Sequence, residues 1–255
     1  MFFRKPFRDY GPFMLLMLLT CAVWETVSRL GLVPSFILPA PSAIWTALIE
    51  QRRLLFEQHL PATLQEVLIG FALSVSCGTL LGAGMHMFRP LEKALYPLLI
   101  ISQTIPLIAL SPIFIMWFGY TLWSKVAVVF LTAFFPVVVG TYDGLHKSGK
   151  IYRELLLTLG ANRWHILRKT QIPLALPSFF SGLKLSIVYC VIGATIGEWL
   201  GGSRGLGYFS RRMAGNLQSA EMFAAVFLLS ALGVVLFLGV AGLEKYILKK
   251  RGIHR

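Results

Sequence analysis

The most regular feature of the chain is a series of long apolar runs separated by short polar segments. About 20 consecutive apolar residues are enough to cross a bilayer as an α-helix. Hydrophobic residues make up 56% of the 255 residues and charged residues 14%, whereas soluble domains typically carry about 25% charged residues. The pattern predicts an all-α integral membrane protein. We place its six spans near residues 12–32, 64–87, 95–118, 122–143, 176–198 and 222–244.

The distribution of basic residues predicts the orientation in the membrane. The net charge is +13, a value that nucleic-acid-binding proteins also reach. Here, however, most of the 24 Lys and Arg residues fall into alternate segments between the predicted spans, and both termini are among these segments. Cytoplasmic segments of membrane proteins are enriched in Lys and Arg. We therefore expect both termini in the cytoplasm, no nucleic-acid partner, and one transmembrane domain over 1–255.

A short amphipathic helix is expected outside the membrane after the first span. Its apolar residues recur near helical spacing over 43–58, and the charged residues in its middle would make a poor span. Ser42 precedes this helix and is predicted to cap it.

Polar residues and prolines interrupt the third predicted span. It contains Gln103, Thr104, Pro106 and Pro112 and ends near Trp117. Backbone groups that a proline leaves without a partner inside a membrane must be satisfied by neighbouring groups or by water. Two interpretations stay open, a kinked packing helix and a helix that lines a passage.

Two acidic residues occur in predicted spans, where charge is costly. Glu25 lies in the first span, and we interpret it as a structural hydrogen-bonding partner. Glu198 lies at the end of the fifth span and is followed by Trp199 and a glycine-rich turn. A place on a substrate path, a gate and a structural role all fit Glu198, and the sequence does not separate them.

The longest polar stretch lies between the fourth and fifth spans, on the predicted cytoplasmic side. Ile151–Leu159 is predicted to be a short helix that ends at Gly160, since glycine suits the left-handed position after a helix. Asn162 is predicted to cap a second helix that runs to Gln171 and is stopped by Pro173. We interpret this helix–turn–helix as a docking surface for a partner; the alternative is a helix pair that lies on the membrane.

Part of this loop resembles the cytoplasmic signature of the permease subunits of bacterial ABC importers. The family pattern is Glu-Ala-Ala-x3-Gly-x9-Ile-x-Leu-Pro, and the chain keeps the spacing of Glu154, Gly160 and Pro173. It has Leu155 and Leu156 where the family has two alanines. The spacing thus supports the loop geometry, while the leucines mark a departure at the surface that meets the partner.

Other segments are similar to the nitrate, sulfonate and taurine branch of that family. They include Leu38–Ser42, Trp117–Gly119, and Gly197–Leu200 followed by Gly205–Tyr208. Ser102–Pro106 most resembles members assigned to the uptake of thiamine-pyrimidine precursors.

The resemblance implies the type I ABC importer permease fold, with six transmembrane helices and a cytoplasmic coupling loop over 144–175. It implies a homodimer in the bacterial inner membrane, two cytoplasmic ATPase subunits and an external solute-binding protein. ATP and Mg would bind to the ATPases, so no cofactor is expected in this chain. Residues expected to couple to the ATPase are Glu154, Leu155, Leu156, Gly160, Ala161, Arg163 and Pro173. Residues expected on the translocation path are Gln103, Thr104, Pro106, Trp117, Glu198 and Trp199.

A secondary transporter or channel that works without an ATPase is the alternative function. Such proteins more often show inverted repeats or several ionisable residues in mid-span, and neither pattern is evident here. An enzyme is not expected, because the sequence has no Ser/His/Asp arrangement, paired carboxylate motif or Cys/His metal spacing.

Overall fold

The computed structural model describes the backbone of residues 4–147 and 155–252, and the side chains of residues 11–146 and 155–252. Within these ranges the chain is almost entirely helical and contains no β-strand. A short helical stretch also occurs at 155–158. The other helices are α1 (Arg4–Arg29), α2 (Pro41–Glu50), α3 (Arg52–Met87), α4 (Arg89–Ser102), α5 (Leu107–Phe118), α6 (Leu122–Lys147), α7 (Arg163–Gly201), α8 (Leu206–Gly215) and α9 (Ser219–Lys250).

Five of the described helices, α1, α3, α6, α7 and α9, are long and apolar enough to cross a membrane. Helices α4 and α5 pass the same test only as a pair, and they are bent by 102° relative to each other. The six predicted spans correspond to these five helices and the bent pair. The prediction of a membrane protein built from helices is therefore confirmed.

The third predicted span, 95–118, is broken rather than kinked. Helix α4 ends at Ser102, and α5 begins at Leu107 after the extended residue Pro106. Pro106 has no N–H to donate into the preceding turn, and Gln103 and Thr104 instead form turn hydrogen bonds to the carbonyls of Ile100 and Ile101. The predicted span therefore consists of two helices joined by a break, where we expected one kinked or passage-lining helix.

The predicted outer helix at 43–58 was also wrong in its extent. Helix α2 ends at Glu50, and the residues from Arg52 onward are the first turns of α3. Ser42 forms no capping hydrogen bond. Its N–H and hydroxyl instead donate to the carboxylate of Glu25, at 3.0 Å and 2.7 Å, and tie α2 to α1. Glu25 is thus a structural hydrogen-bonding partner, as predicted.

Pro173 does not stop a helix, contrary to the prediction. Helix α7 continues through it because the preceding turn, Leu167–Gln171, is a π-turn, in which the Ile172 N–H bonds to the Leu167 carbonyl. The same arrangement occurs in α3, where a π-turn at Leu55–His59 precedes the sequence Leu60-Pro61. In a π-helical turn the N–H groups bond to carbonyls five residues earlier instead of four. The backbone hydrogen bonds are thereby rearranged next to the proline, and the helix can continue through it.

The α6–α7 pair forms the centre of the subunit, with α3 packed on α6 and α9 packed on α7. The two central helices approach closely at Gly140 and Gly182. A Cβ at Gly182 would lie 2.5 Å from the Pro136 carbonyl oxygen, so only glycine fits at this crossing. The main buried cluster extends from this pair to α8 and α9 and includes Val129, Ile187 and Phe209.

Candidate functional site

The first candidate site is the segment that joins the short helical stretch 155–158 to α7. The Gly160 N–H bonds to the Leu157 carbonyl, and the Ala161 N–H bonds to the Leu156 carbonyl. Gly160 has φ +80°, which is the left-handed conformation predicted for it. These two hydrogen bonds are those of the Schellman motif, which terminates helices at a glycine. The turn therefore has a defined shape that depends on Gly160.

Asn162 follows this turn and caps α7, as the sequence predicted. Its side-chain oxygen accepts the backbone N–H of Trp164 at 3.1 Å, and Arg163 is the first residue of the helix. Residues 159–162 alone join the two helical segments, and we call this junction the corner.

Large apolar side chains are exposed at this corner. Leu155 is 57% exposed, Leu159 is 73% exposed and Trp164 is 62% exposed. Leu156 is half-buried. Exposed apolar patches of this kind mark interaction surfaces. Glu154, which the sequence placed on the same surface, lies outside the described residues.

The second candidate site is a groove of about 640 Å³ between the C-terminal end of α4, α6 and α7. Its apolar lining contains five polar side chains, four of them on helices long and apolar enough to cross a membrane, which is unusual for a surface that faces lipid. These residues are Gln103, Asp143, Ser178, Ser181 and Tyr189. A groove with this mixture of groups suits a small solute with polar and aromatic parts.

The structure separates the residues predicted for the translocation path. Gln103 lines the groove, and Thr104 and Pro106 lie exposed in the break beside it. Trp117 and Trp199 lie outside the groove lining, 72% and 42% exposed near the C-terminal ends of α5 and α7. Four polar groove residues were missed, Asp143, Ser178, Ser181 and Tyr189. Their spacing along α6 and α7 did carry a signal, since Ser178, Ser181 and Tyr189 share one face of a helix.

Glu198 lies in a buried polar cluster and not in the groove. Its carboxylate accepts the Thr63 hydroxyl at 2.6 Å and the N–H groups of Gly207 and Tyr208 at 2.5 Å and 3.2 Å. Gly207 and Tyr208 belong to the first turn of α8, whose N–H groups have no partner within the helix. Glu198, near the end of the preceding helix α7, therefore acts as the cap of α8.

Other buried groups complete this cluster. The Thr63 hydroxyl accepts the Leu206 N–H at 2.8 Å, and the His59 imidazole accepts the Gly205 N–H at 3.1 Å. A buried ion pair lies alongside, with Lys125 Nζ 2.7 Å from Glu66 Oε1. Through these contacts α3 and α7 hold the glycine-rich turn and α8 in place, and the ion pair joins α6 to α3.

The helices long enough to cross a membrane, the groove with polar side chains and the exposed apolar side chains of the corner are compatible with a membrane protein that binds a partner. The chain belongs to the family of binding-protein-dependent transport system inner membrane components, whose model matches residues 74–251. It is therefore the permease subunit of a binding-protein-dependent ABC importer, a multi-pass protein of the inner membrane. Membership implies ATPase and solute-binding-protein partners.

Individual relatives support the same assignment. The chain is 46% identical over 237 residues to the formylaminopyrimidine transport permease protein ThiX of Halalkalibacterium halodurans, covering 93% of this chain and 94% of the relative. It is 34% identical over 237 residues to the riboflavin transport system permease protein RibX of Chloroflexus aurantiacus, covering 91% and 87%. More distant relatives include sulfonate, taurine and nitrate permeases. The predicted family and branch are thus confirmed, and these relatives are transport proteins rather than enzymes.

A solved structure shares the fold. The inward-facing MetNI methionine ABC transporter matches with a TM-score of 0.53 and 18% sequence identity, covering 84% of this chain and 95% of that chain. The predicted type I importer permease fold is therefore confirmed.

Proposed function

We propose that two copies of this chain form the membrane pathway of an importer for a small heteroaromatic solute, of the thiamine-pyrimidine precursor class. The groove that contains Gln103, Ser181 and Tyr189 is the observation that carries this proposal, because it offers both hydrogen-bonding groups and an aromatic ring at membrane depth. The groove is open on one side within a single subunit, and a second copy would close it. The name of the 46% identical relative supports the choice of solute.

The proposal assigns the apolar corner at Leu155, Leu159 and Trp164 to the contact with the ATPase. One ATPase would bind to each copy, and each would hold its own ATP and Mg, so that this chain needs no cofactor. Both termini and the corner would then lie in the cytoplasm, while α2 and α8 would face the binding protein on the other side. We treat the whole chain as one domain, because α3, α6, α7 and α9 share buried clusters.

Transport by reconstituted protein tests this proposal. The chain is co-purified with its ATPase and placed in vesicles with its binding protein, and uptake of a formylaminopyrimidine is compared with uptake of riboflavin and taurine. We expect uptake of the formylaminopyrimidine only when ATP is present on the side of the corner. Preference for riboflavin or taurine would contradict the proposed solute, and uptake by the chain alone would support a secondary transporter or channel.

A further inference from the structure

Two adjoining cavities lie between the end of α3 and the first turns of α7. The deep cavity has a volume of about 230 Å³, and its lining, which includes Ala83, Leu176 and Phe179, is almost entirely apolar. The shallow cavity has a volume of about 420 Å³ and is lined in part by Asn162, Arg163 and other polar groups. Both cavities share His86, Met87 and Leu167, so they lie next to each other.

The order of the lining residues shows that this space runs along the helices. On α3, Thr79 and Ala83 line the deep cavity, and Met87 at the end of the helix lines both. On α7, Arg163 lines the shallow cavity and Phe179 lines the deep one. The rise of an α-helix places Thr79 about 12 Å from Met87 along the axis. The apolar part thus extends into the membrane, and the polar part opens at its surface.

The charges around the polar opening are positive. Arg163 lines it, and Arg168 and Lys169 are exposed on the next turns of α7. Among the described residues, no Asp or Glu lines either cavity. Trp164 also lines the opening, and tryptophan is enriched at the level of lipid headgroups. Basic pockets between helices at the cytoplasmic surface suit the headgroups of anionic lipids.

We propose that this paired cavity binds one anionic phospholipid of the inner leaflet, with its phosphate beside Arg163 and part of an acyl chain against Ala83 and Phe179. The inference rests on the proposed topology, which puts the corner and Arg163 in the cytoplasm. A soluble ATPase is a poorer occupant, because the lining of the deep cavity is almost entirely apolar and, in the proposed topology, lies within the membrane. The bound lipid would contact the π-helical turn Leu167–Gln171, which follows the corner that meets the ATPase.

Native mass spectrometry of the complete transporter in lipid nanodiscs tests this site. The nanodiscs contain phosphatidylglycerol and phosphatidylcholine in equal amounts, and the lipids that stay bound after release are counted. We expect wild-type protein to retain phosphatidylglycerol preferentially. Arg163→Glu should lower this preference at least about fivefold, since one cation near the surface contributes about that factor. The control Arg211→Glu, an exposed arginine of α8 at the opposite end of the protein, should leave it unchanged.

A second pair of variants tests the acyl-chain cavity. Ala83→Phe should fill the deep cavity and reduce retention of both lipids, whereas Ala72→Phe, an exposed alanine on the same helix, should not. The midpoint of thermal unfolding in detergent, compared with that of the wild type, shows that each variant is folded. Equal effects of the two arginine variants, or full lipid retention by Ala83→Phe, would overturn the proposal, as would displacement of the lipid when the ATPase binds.

These readouts do not involve transport. A failure of the proposed solute or of ATP-driven uptake would therefore leave the lipid result unaffected. Labelling of a Trp164→Cys variant from one side of intact cells tests the orientation separately.

Discussion

Gly205 has the most restrictive environment among the residues around the buried polar cluster. Its φ is +116°, and a Cβ at this position would lie 2.1 Å from the Glu198 side-chain carbon. A backbone conformation of this kind costs about 1–3 kcal/mol for a residue other than glycine, before any clash. We expect Gly205→Ala to lower the free energy of unfolding by more than about 2 kcal/mol. Thermal unfolding in detergent measures this loss.

Gly215→Ala is the matched control, because Gly215 lies at the other end of α8 and a Cβ there meets no atom within 4 Å. The control should change stability by no more than about 0.5 kcal/mol. Equal losses of stability in the two variants would show that neither the positive φ nor the close contact with Glu198 restricts position 205 to glycine.

Glu198 is expected to act through stability rather than through contact with the solute. Glu198→Ala removes the acceptor of one hydroxyl and two N–H groups in a buried site, and buried donors without partners cost about 1–3 kcal/mol each. We expect a loss of about 3 kcal/mol for Glu198→Ala and a smaller loss for Glu198→Gln, which keeps one acceptor oxygen. Unfolding measurements check this order.

Glu57→Ala is the control for Glu198, since Glu57 is largely exposed and forms only a surface pair with Arg53. If Glu198→Gln were as stable as the wild type but changed the solute preference in uptake assays, Glu198 would belong to the path after all.

The sequence identified Glu198 as unusual but did not assign its role. An acidic residue at a span end followed by glycines is compatible with several functions, because its partners Thr63 and Gly207 lie on other elements or beyond a turn. By contrast, the positions of Gly160 and Asn162 were predictable, because their hydrogen bonds are made within a few residues. Local chemistry could be predicted from the sequence, while contacts between distant residues could not.

At the scale of elements, the corner between residues 155–158 and α7 depends on one left-handed residue. Gly160→Val should prevent this turn, because a β-branched residue is strongly disfavoured at φ +80°. We expect the variant to insert into the membrane but to lose both binding of the ATPase and uptake. Co-purification of the ATPase with the tagged permease measures the first loss.

Gly160→Asn is the matched control, because asparagine tolerates the left-handed conformation better than other residues with side chains. It should retain most of the ATPase binding. Wild-type uptake by Gly160→Val would contradict a coupling role for the corner.

A proline in the sequence does not by itself show whether a helix ends there. Pro61 and Pro173 lie within continuous helices, each after a π-turn, whereas Pro106 lies at a real break. The apolar runs predicted the spans because about 20 apolar residues leave few alternatives to a membrane helix. Whether a helix breaks at a proline depends on which groups donate to the carbonyl that the proline leaves without a partner, and the hydrophobic pattern does not specify those groups.

At the scale of the whole molecule, the groove is defined by three elements that are distant in the sequence. Gln103 was predicted for the path from the polar break that contains it, but the groove also needs α6 and α7 to cross at Gly140 and Gly182. The sequence predicted the membrane class and family, since both follow from spans and local motifs. It could not predict which faces of α6 and α7 meet α4, and the serines of the groove were therefore missed.

Filling the groove should stop transport without disturbing assembly. Ser181 lines the groove and is exposed, so Ser181→Trp places an indole in the space proposed for the solute. We expect the variant to lose most of its uptake activity while it still binds the ATPase and dimerises, as measured in vesicles and by chemical cross-linking. Ser76→Trp, an exposed serine of α3 outside the groove, should transport normally. Normal uptake by Ser181→Trp would place the translocation path on another face of the subunit.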